Sequence, residues 1–274
     1  MRFRRHHLYV IFIFLVFITL LELTFPKLQR PNIIDVGGDH PFLIKTTWHQ
    51  IREYAKYVVH DIDAGCWATA IAQISHFHRL NPAGKIEYMT TKGGKIKVDL
   101  DDYLFDHDQF ANYLDKQSTA IAKDQVAKYI YYIAALIYTD FGSHGYLSHE
   151  TMVSRLEKHL DCTVGFYEYT KQKYLSEEVG IRKLIQREID GQRPLMFYFD
   201  NGDDFGHAAA LDGYVEQDDR FLVHLNMGWG GRSNGWYDCF EKIVGVRDDL
   251  QNRFLIKFMP KDTTDFENNM KDVH

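Results

Sequence analysis

Apolar residues recur along this chain at two different spacings, and the change from one to the other divides it. In DAGCWATAIAQISHFH the apolar positions from Cys66 to Arg79 follow the three-to-four spacing of a helix that buries one face. VAKYIYYIAALIY (Val126 to Tyr138) is apolar nearly all round, the pattern of a helix enclosed by the core. SHETMVSRLEKHL opens on Ser148, Glu150 and Thr151, a polar start for a third helix. From about Cys162 the period shortens. TVGFYEY and RPLMFYF predict strands, separated by a helical EEVGIRKLIQREIDG that ends on Gly191. HAAALDGY, RFLVHLN and GWYDCF follow with Gly and Asp turns between them, and RFLIKF closes the series. Helices first and strands afterwards predict an α+β fold, a helical lobe followed by an antiparallel β lobe with a cleft between them.

The chain begins differently. MRFRRHH is cationic, and LYVIFIFLVFITLL (Leu8 to Leu21) is an unbroken apolar run of signal-peptide length that approaches a membrane span if extended to Phe25. Residues 1–25 are therefore expected to be a signal or signal-anchor, with no small-residue cleavage site after it. With Arg2, Arg4 and Arg5 kept in the cytoplasm, the remainder is expected outside, membrane-anchored or secreted if the signal is cleaved. Residues 26–45 hold Pro26, Pro31, Gly37, Gly38 and Pro41 and read as a linker, 46–260 as the folded domain, and 261–274 as a polar tail.

Composition narrows the function classes. Hydrophobic residues at 45% and aromatics at 15% exclude disorder as the main state. A net charge of −6, with no basic stripe after the first residues, excludes nucleic acid as a partner. Cys66, Cys162 and Cys239 lie far apart without a C-x-x-C pair, so neither a zinc ribbon nor a redox motif is indicated. Whether Cys162 and Cys239 pair stays open. The acidic run DLDDYLFDHD lacks the glycine and glutamate of a calcium loop and reads as a solvated strand-to-loop segment.

Candidate chemistry starts at Cys66. A lone cysteine is usually an inert core residue, but Gly65 permits a tight approach and the helix begins at or just after Cys66. A thiol at a helix N-terminus sits in positive potential, which favours thiolate. His207 lies 141 residues later, preceded by Gly206 and followed by a strand of small residues that would expose it to a cleft. His76 and His78, two apart on one helix, point to different faces and cannot act together. Asn226 ends a strand, and Trp229 follows among Gly228, Gly230 and Gly231. A carboxamide there can hold an imidazole by its second nitrogen while an indole keeps water away; a glycine-rich hairpin with a packing tryptophan is the plainer alternative. Gln50 stands 16 residues before Cys66, where its amide would complete an oxyanion hole with the Cys66 N–H unless it is simply a surface residue. Asp200, Asp203 and Asp204 lead into His207 and would favour its charged form, or else make a solvated acidic turn.

Gln, then Gly-Cys-Trp, then Gly-His, then Asn-x-x-Trp-Gly, in that order, resemble the streptopain family of papain-like cysteine peptidases. GCWATAIAQISHFHRLNP looks like that family's nucleophile helix, GHAAALDGY like its histidine strand and HLNMGWGG like its asparagine–tryptophan loop. The resemblance runs from about Thr46 to Phe240 and implies a papain-like two-lobed fold acting on protein or peptide substrates without metal or organic cofactor. By it, Cys66 is the nucleophile, His207 the general acid/base, Asn226 the orienter and Gln50 the oxyanion donor, with Trp229, Met227 and Gly206 at the substrate. Met227 departs from the family, which usually carries a tryptophan there, so the cleft wall is expected to differ. Fewer than 50 residues precede the motif region, an expectation against control by a long pro-segment. A transglutaminase-like acyl transferase and an inactive membrane-tethered binding domain are the alternatives.

Overall fold

The structure, a computed structural model, describes residues 31–58, 63–141, 149–200, 206–241, 243 and 252–261. Helix α1 (Cys66–Phe77) is followed by a hairpin of β1 (Lys85–Met89) and β2 (Lys95–Asp99), then by α2 (Ala120–Leu136) and α3 (His149–His159). Strand β3 (Cys162–Thr170) leads into α4 (Lys171–Asp190). Strands β4 (Leu195–Asp200), β5 (Gly206–Gln217), β6 (Arg220–Asn226), β7 (Gly235–Asp238) and β8 (Asn252–Pro260) complete the chain. Beside the hairpin, one six-stranded antiparallel sheet runs in the order β3-β8-β4-β5-β6-β7.

The two-residue period of the strands sorts their side chains between two cores. Met196 and Tyr198 of β4, Ala208 and Ala210 of β5, and Phe254, Ile256 and Phe258 of β8 face α1 and α2. Leu195, Phe197, Phe199, Ala209, Leu211 and Leu255 face the other way, against Ile181, Leu184, Ile185 and Ile189 of α4. Each fully buried Phe on these faces contributes ~1.5–3 kcal/mol of transfer free energy. Helix α2 is enclosed as its all-round apolar pattern predicts, with Val126, Ile130, Ile133 and Leu136 buried, and Thr119 caps it by accepting the Ala122 N–H at 3.1 Å.

The chain departs from its sequence reading in two places, at the β1–β2 hairpin and at residues 31–45. The β1–β2 hairpin was not predicted, because its alternation in KIEYM and KIKVD is short and its outward positions are mostly charged. The acidic run after it leaves β2 as the solvated strand-to-loop segment expected, with two short 3-10 turns in which Asp99 and Asp106 accept the N–H groups of Asp101 and Asp108. Residues 31–45, expected as a linker, are tied to the sheet. Ile34 N–H donates to the Trp236 carbonyl at 2.9 Å, Leu43 N–H to the Asp212 carbonyl at 2.8 Å and Ile44 N–H to the Asp212 carboxylate at 3.0 Å. All three cysteines are buried and none is in a disulfide, with Cys162 and Cys239 in separate cores. Burial pushes the Cys162 thiol up to about 12.

Among the described residues, no helix is long and apolar enough to cross a membrane. The apolar run Leu8 to Leu21, Ser148, Asp203, Asp204 and residues 262–274 lie outside the described residues.

Candidate active site

Cys66 is the first residue of α1, so its N–H and sulfur stand at the positive end of the helix. The residue before it, Gly65, has φ 86°, a left-handed conformation that a side chain would strain. The first turn is fixed by Thr69, whose N–H and hydroxyl both donate to the Gly65 carbonyl, at 3.1 and 2.9 Å. Trp67 turns inward to pack at a tilt against Tyr198 and Phe254, at ring distances of 5.2 and 5.4 Å.

Helix α1 packs across β5, the strand that carries His207 at its second position. Gly206 opens that strand opposite Asp200, and a Cβ there would come within 2.3 Å of the Tyr198 hydroxyl. A side chain at 206 would have to displace the Tyr198 hydroxyl. His207 is 4% exposed, with its Nε2 2.9 Å from the main-chain carbonyl of Met227. A carbonyl only accepts, so Nε2 carries the proton and Nδ1 keeps its lone pair. Burial lowers the imidazole pKa to about 4, with the Met227 carbonyl pulling in the opposite direction. The ring lies against Trp229 at 4.5 Å and edge-on to Phe199 at 5.8 Å.

Two expectations change here. Asn226 was expected to hold the imidazole and does not touch it. Its amide points toward α1, where Nδ2 donates to the Thr46 carbonyl at 2.6 Å and to Gln73 Oε1 at 3.1 Å. Its Oδ1 accepts from Gln73 Nε2 at 3.3 Å and from Gly228 N–H at 3.2 Å. The group that meets the imidazole Nε2 is the carbonyl one residue later. Met227 was expected to line the substrate cleft, yet its side chain is fully buried in the α4-side core. An apolar thioether at a strand end is better placed among Phe197, Phe199 and Tyr237 than in a cleft. Its backbone does the work instead: the N–H donates to Asn234 Oδ1 at 2.9 Å and the C=O accepts from His207.

Asp200, the described member of the three aspartates leading into His207, accepts from Asn252 Nδ2 at 3.1 Å at the far edge of β4. It is not among the influences on His207, which are burial and the Met227 carbonyl.

Gln50 and Trp229 are brought to the same place by backbone pairing. The Gln50 carbonyl accepts from Ala64 N–H at 2.8 Å, two residues before Cys66. His49 and Trp229 form an isolated antiparallel bridge, and Gly230 N–H donates to the Trp48 carbonyl at 3.1 Å. Gly228 rests on α1, where a Cβ would come within 3.0 Å of the Thr69 methyl. The side-chain oxygen of Gln50 is buried with no hydrogen-bond partner among the described residues.

Sequence reasoning missed Gln73 and Tyr198. Gln73 is fully buried in α1 and its amide oxygen also accepts from the Thr46 hydroxyl at 3.0 Å and the Trp48 N–H at 3.1 Å. It thereby joins α1, the Gln50 segment and the strand end that holds His207. A signal existed: Gln73 sits seven residues after Cys66, on the same helical face, as a lone amide in an apolar stretch. Tyr198 follows from the period of β4, which puts it on the α1 face with Met196. Burial, then Asp200, raises its phenol pKa, and the Cys66 thiol also contributes.

Comparison with known proteins gives the arrangement a context. None of the curated proteins compared matches the chain. Among solved structures, it is similar to active wild-type interpain A cysteine protease of Prevotella intermedia, with TM-score 0.64 and 19% sequence identity over 79% of this chain and 93% of that one. A mutant prointerpain A fragment of the same organism gives TM-score 0.62 and 20% identity, over 82% of this chain and 75% of that one. The fold is thus that of interpain A, helices and antiparallel sheets together. The model of the Peptidase C10 family matches residues 48–237. A match over more than half of the chain, spanning Gln50 to Trp229, makes this protein a member of the peptidase C10 family and a cysteine-type peptidase.

Proposed function

We propose that this peptidase is an endopeptidase whose nucleophile is Cys66 and whose general acid/base is His207. The observation that carries the reading is the Met227 carbonyl on His207 Nε2. It fixes the proton on one nitrogen and leaves the other, Nδ1, with a lone pair to receive the thiol proton. Proton transfer would give a thiolate–imidazolium pair, with the thiolate stabilised by the N-terminus of α1 and the imidazolium by the Met227 carbonyl. The thiolate adds to the scissile carbonyl, and the oxyanion rests on the Cys66 N–H and the Gln50 amide. Rotating that amide by 180° puts an N–H where the buried, unpartnered oxygen now stands. Collapse to the thioester expels the amine, which takes the proton from His207. Water, deprotonated by the same imidazole, then hydrolyses the thioester and returns the thiol.

Cys66→Ala is expected to lower peptide hydrolysis by ~10³-fold or more and to abolish labelling by an epoxide-type thiol reagent. Persistent hydrolysis by that variant rejects the scheme. The apolar segment Leu8 to Leu21 supports a location outside the cytoplasm, anchored or secreted. Digestion of the domain by protease added to intact cells is the expected result, and full protection there would refute the location.

A further inference from the structure

A pocket of about 220 Å³ adjoins the site without containing Cys66 or His207. Its wall includes His49, Arg52, Tyr54, Tyr113 and Gly230. Its place relative to the reaction follows from Trp229. The imidazole that protonates a departing amine must lie beside the leaving half of the substrate, and Trp229 covers that imidazole. The backbone of Trp229 is bridged to His49 and runs on into Gly230. Chain beyond a scissile bond held at this imidazole would pass Trp229 toward this pocket.

The lining is rich in donors. Gln50 N–H donates to His49 Nδ1 at 2.9 Å, so that ring carries its proton on Nε2. Tyr54 accepts the Leu114 N–H on its hydroxyl at 2.6 Å, leaving its own O–H to donate. Arg52 lines the pocket in a left-handed conformation, φ 60°, a strain of the kind found where a ligand is gripped. Arg232 is tied close by through its N–H to the Trp229 carbonyl at 3.3 Å. Among the described residues neither guanidinium makes a hydrogen bond or an ion pair. Both reach His49: burial, then Arg232 and Arg52, lower its pKa, with Asp63 acting in the opposite sense. Glu53 is the one acid in the wall, exposed and without an ion pair among the described residues.

We propose that this pocket is the leaving-side subsite of the enzyme and that Arg52 and Arg232 make it select a substrate carboxylate. The proposal rests on cleavage at Cys66 as described above. Two sources offer the same group, an acidic side chain just after the scissile bond and the free C-terminus of a short peptide. Guanidinium–carboxylate contacts at a partly exposed site support a preference of about tenfold, equivalent to ~1.4 kcal/mol.

The test begins with a proteome-derived peptide library digested by the full chain, the cut sites being read by mass spectrometry. Matched synthetic peptides then carry Asp or Asn, or Glu or Gln, at the first or second position after the cut, each as free acid and as C-terminal amide. The expected result is an acid-over-amide ratio in kcat/KM of about tenfold, at the side chain or at the C-terminus according to the source. In Arg52→Ala/Arg232→Ala the ratio is expected to fall toward one, and Arg52→Glu/Arg232→Glu should prefer Lys. The ratio is internal to each variant, so a general loss of active enzyme cancels. A library left wholly uncut overturns the peptidase reading and the subsite with it. A library that is cut with a wild-type ratio of one, or a ratio that survives both double variants, overturns the subsite alone.

Discussion

Replacing Gln73 by leucine should damage stability and catalysis together. The leucine fills a similar volume but has no polar atoms, so the groups that Gln73 serves lose a partner. Asn226 keeps the Thr46 carbonyl and the Gly228 N–H. The Trp48 N–H and the Thr46 hydroxyl lose the acceptor they share. Thr46 is 4% exposed and Trp48 and Gln73 are fully buried, so water has poor access to either orphan. An unsatisfied buried group costs ~1–3 kcal/mol, and the hydroxyl can rotate, so the sum is about 2–4 kcal/mol. At this chain length that is a fall in Tm of about 5–15 °C. If Cys66 and His207 act as proposed, catalysis should suffer because the strand end bearing the Met227 carbonyl loses its tie to α1. A kcat lower by about ten- to a hundredfold is expected, with a smaller change in KM. Urea titration with steady-state kinetics on a peptide substrate measures both. Gln73→Glu keeps the acceptor oxygen, and its carboxyl, being buried, should have a pKa raised above the unfolded value. Its neutral form is then the compatible one, so this variant should regain stability as pH falls. Stability within ~0.5 kcal/mol of wild type and an unchanged kcat in Gln73→Leu would refute the reasoning.

Three other outcomes follow from the geometry. Gly206→Ala should lose about 1–3 kcal/mol and much of its activity, since the new methyl meets the Tyr198 hydroxyl at 2.3 Å; adding Tyr198→Phe should restore part of both in a double-mutant cycle, and strict additivity would count against the clash. Met227→Ala should cost ~2–5 kcal/mol through a core cavity while leaving KM nearly unchanged, and a KM effect without a stability loss would return this side chain to the cleft. His207 has its pKa lowered from 6.5 to about 4 by burial, and His76, His78 and His107 are likewise held near 4. Depressed folded-state values mean that stability is full above pH 6.5 and is lost as pH falls toward 4, with ~3 kcal/mol assignable to His207. Urea midpoints from pH 7 to 4 should fall, less steeply in His207→Gln; midpoints that stay flat would contradict the buried neutral histidines.

Residue chemistry and period carried much of this architecture in plain view. The strand alternation that separates Met196 and Tyr198 from Phe197 and Phe199 is visible in RPLMFYF, and α1 starts on the cysteine that the Gly-Cys-Trp pattern singles out. Cys66, His207 and Trp229 stood out in the sequence because the roles proposed for them call for distinctive side chains. The role given to Asn226 shifted by one residue because every residue has a carbonyl, and nothing in HLNMGWGG says which one faces the ring. The fate of Met227 was hidden for a related reason: a residue beside a functional one is core or cleft according to strand register, and at a strand end the register is no longer periodic. Gln73 was passed over inside an apolar helix, although a fully buried amide needs partners and so implies a junction. Residues 31–45 looked like a linker because proline and glycine suppress regular structure, and their attachment runs through backbone groups and Asp212.

The hydrogen bond from His207 to the peptide unit of Met227 has a genetic consequence. Any codon at 227 supplies the same oxygen, so a conventional alanine scan would report this position as a packing site and never uncover its hold on the imidazole. Lesions that register would instead be those that move the main chain. Examples are a residue with a side chain at 228, where φ is 68°, loss of the Asn234 amide that grips the Met227 N–H, or a one-residue insertion in the loop. Selection at position 227 itself would thus act on the buried side chain's packing, while selection for the grip on the imidazole would fall on its neighbours.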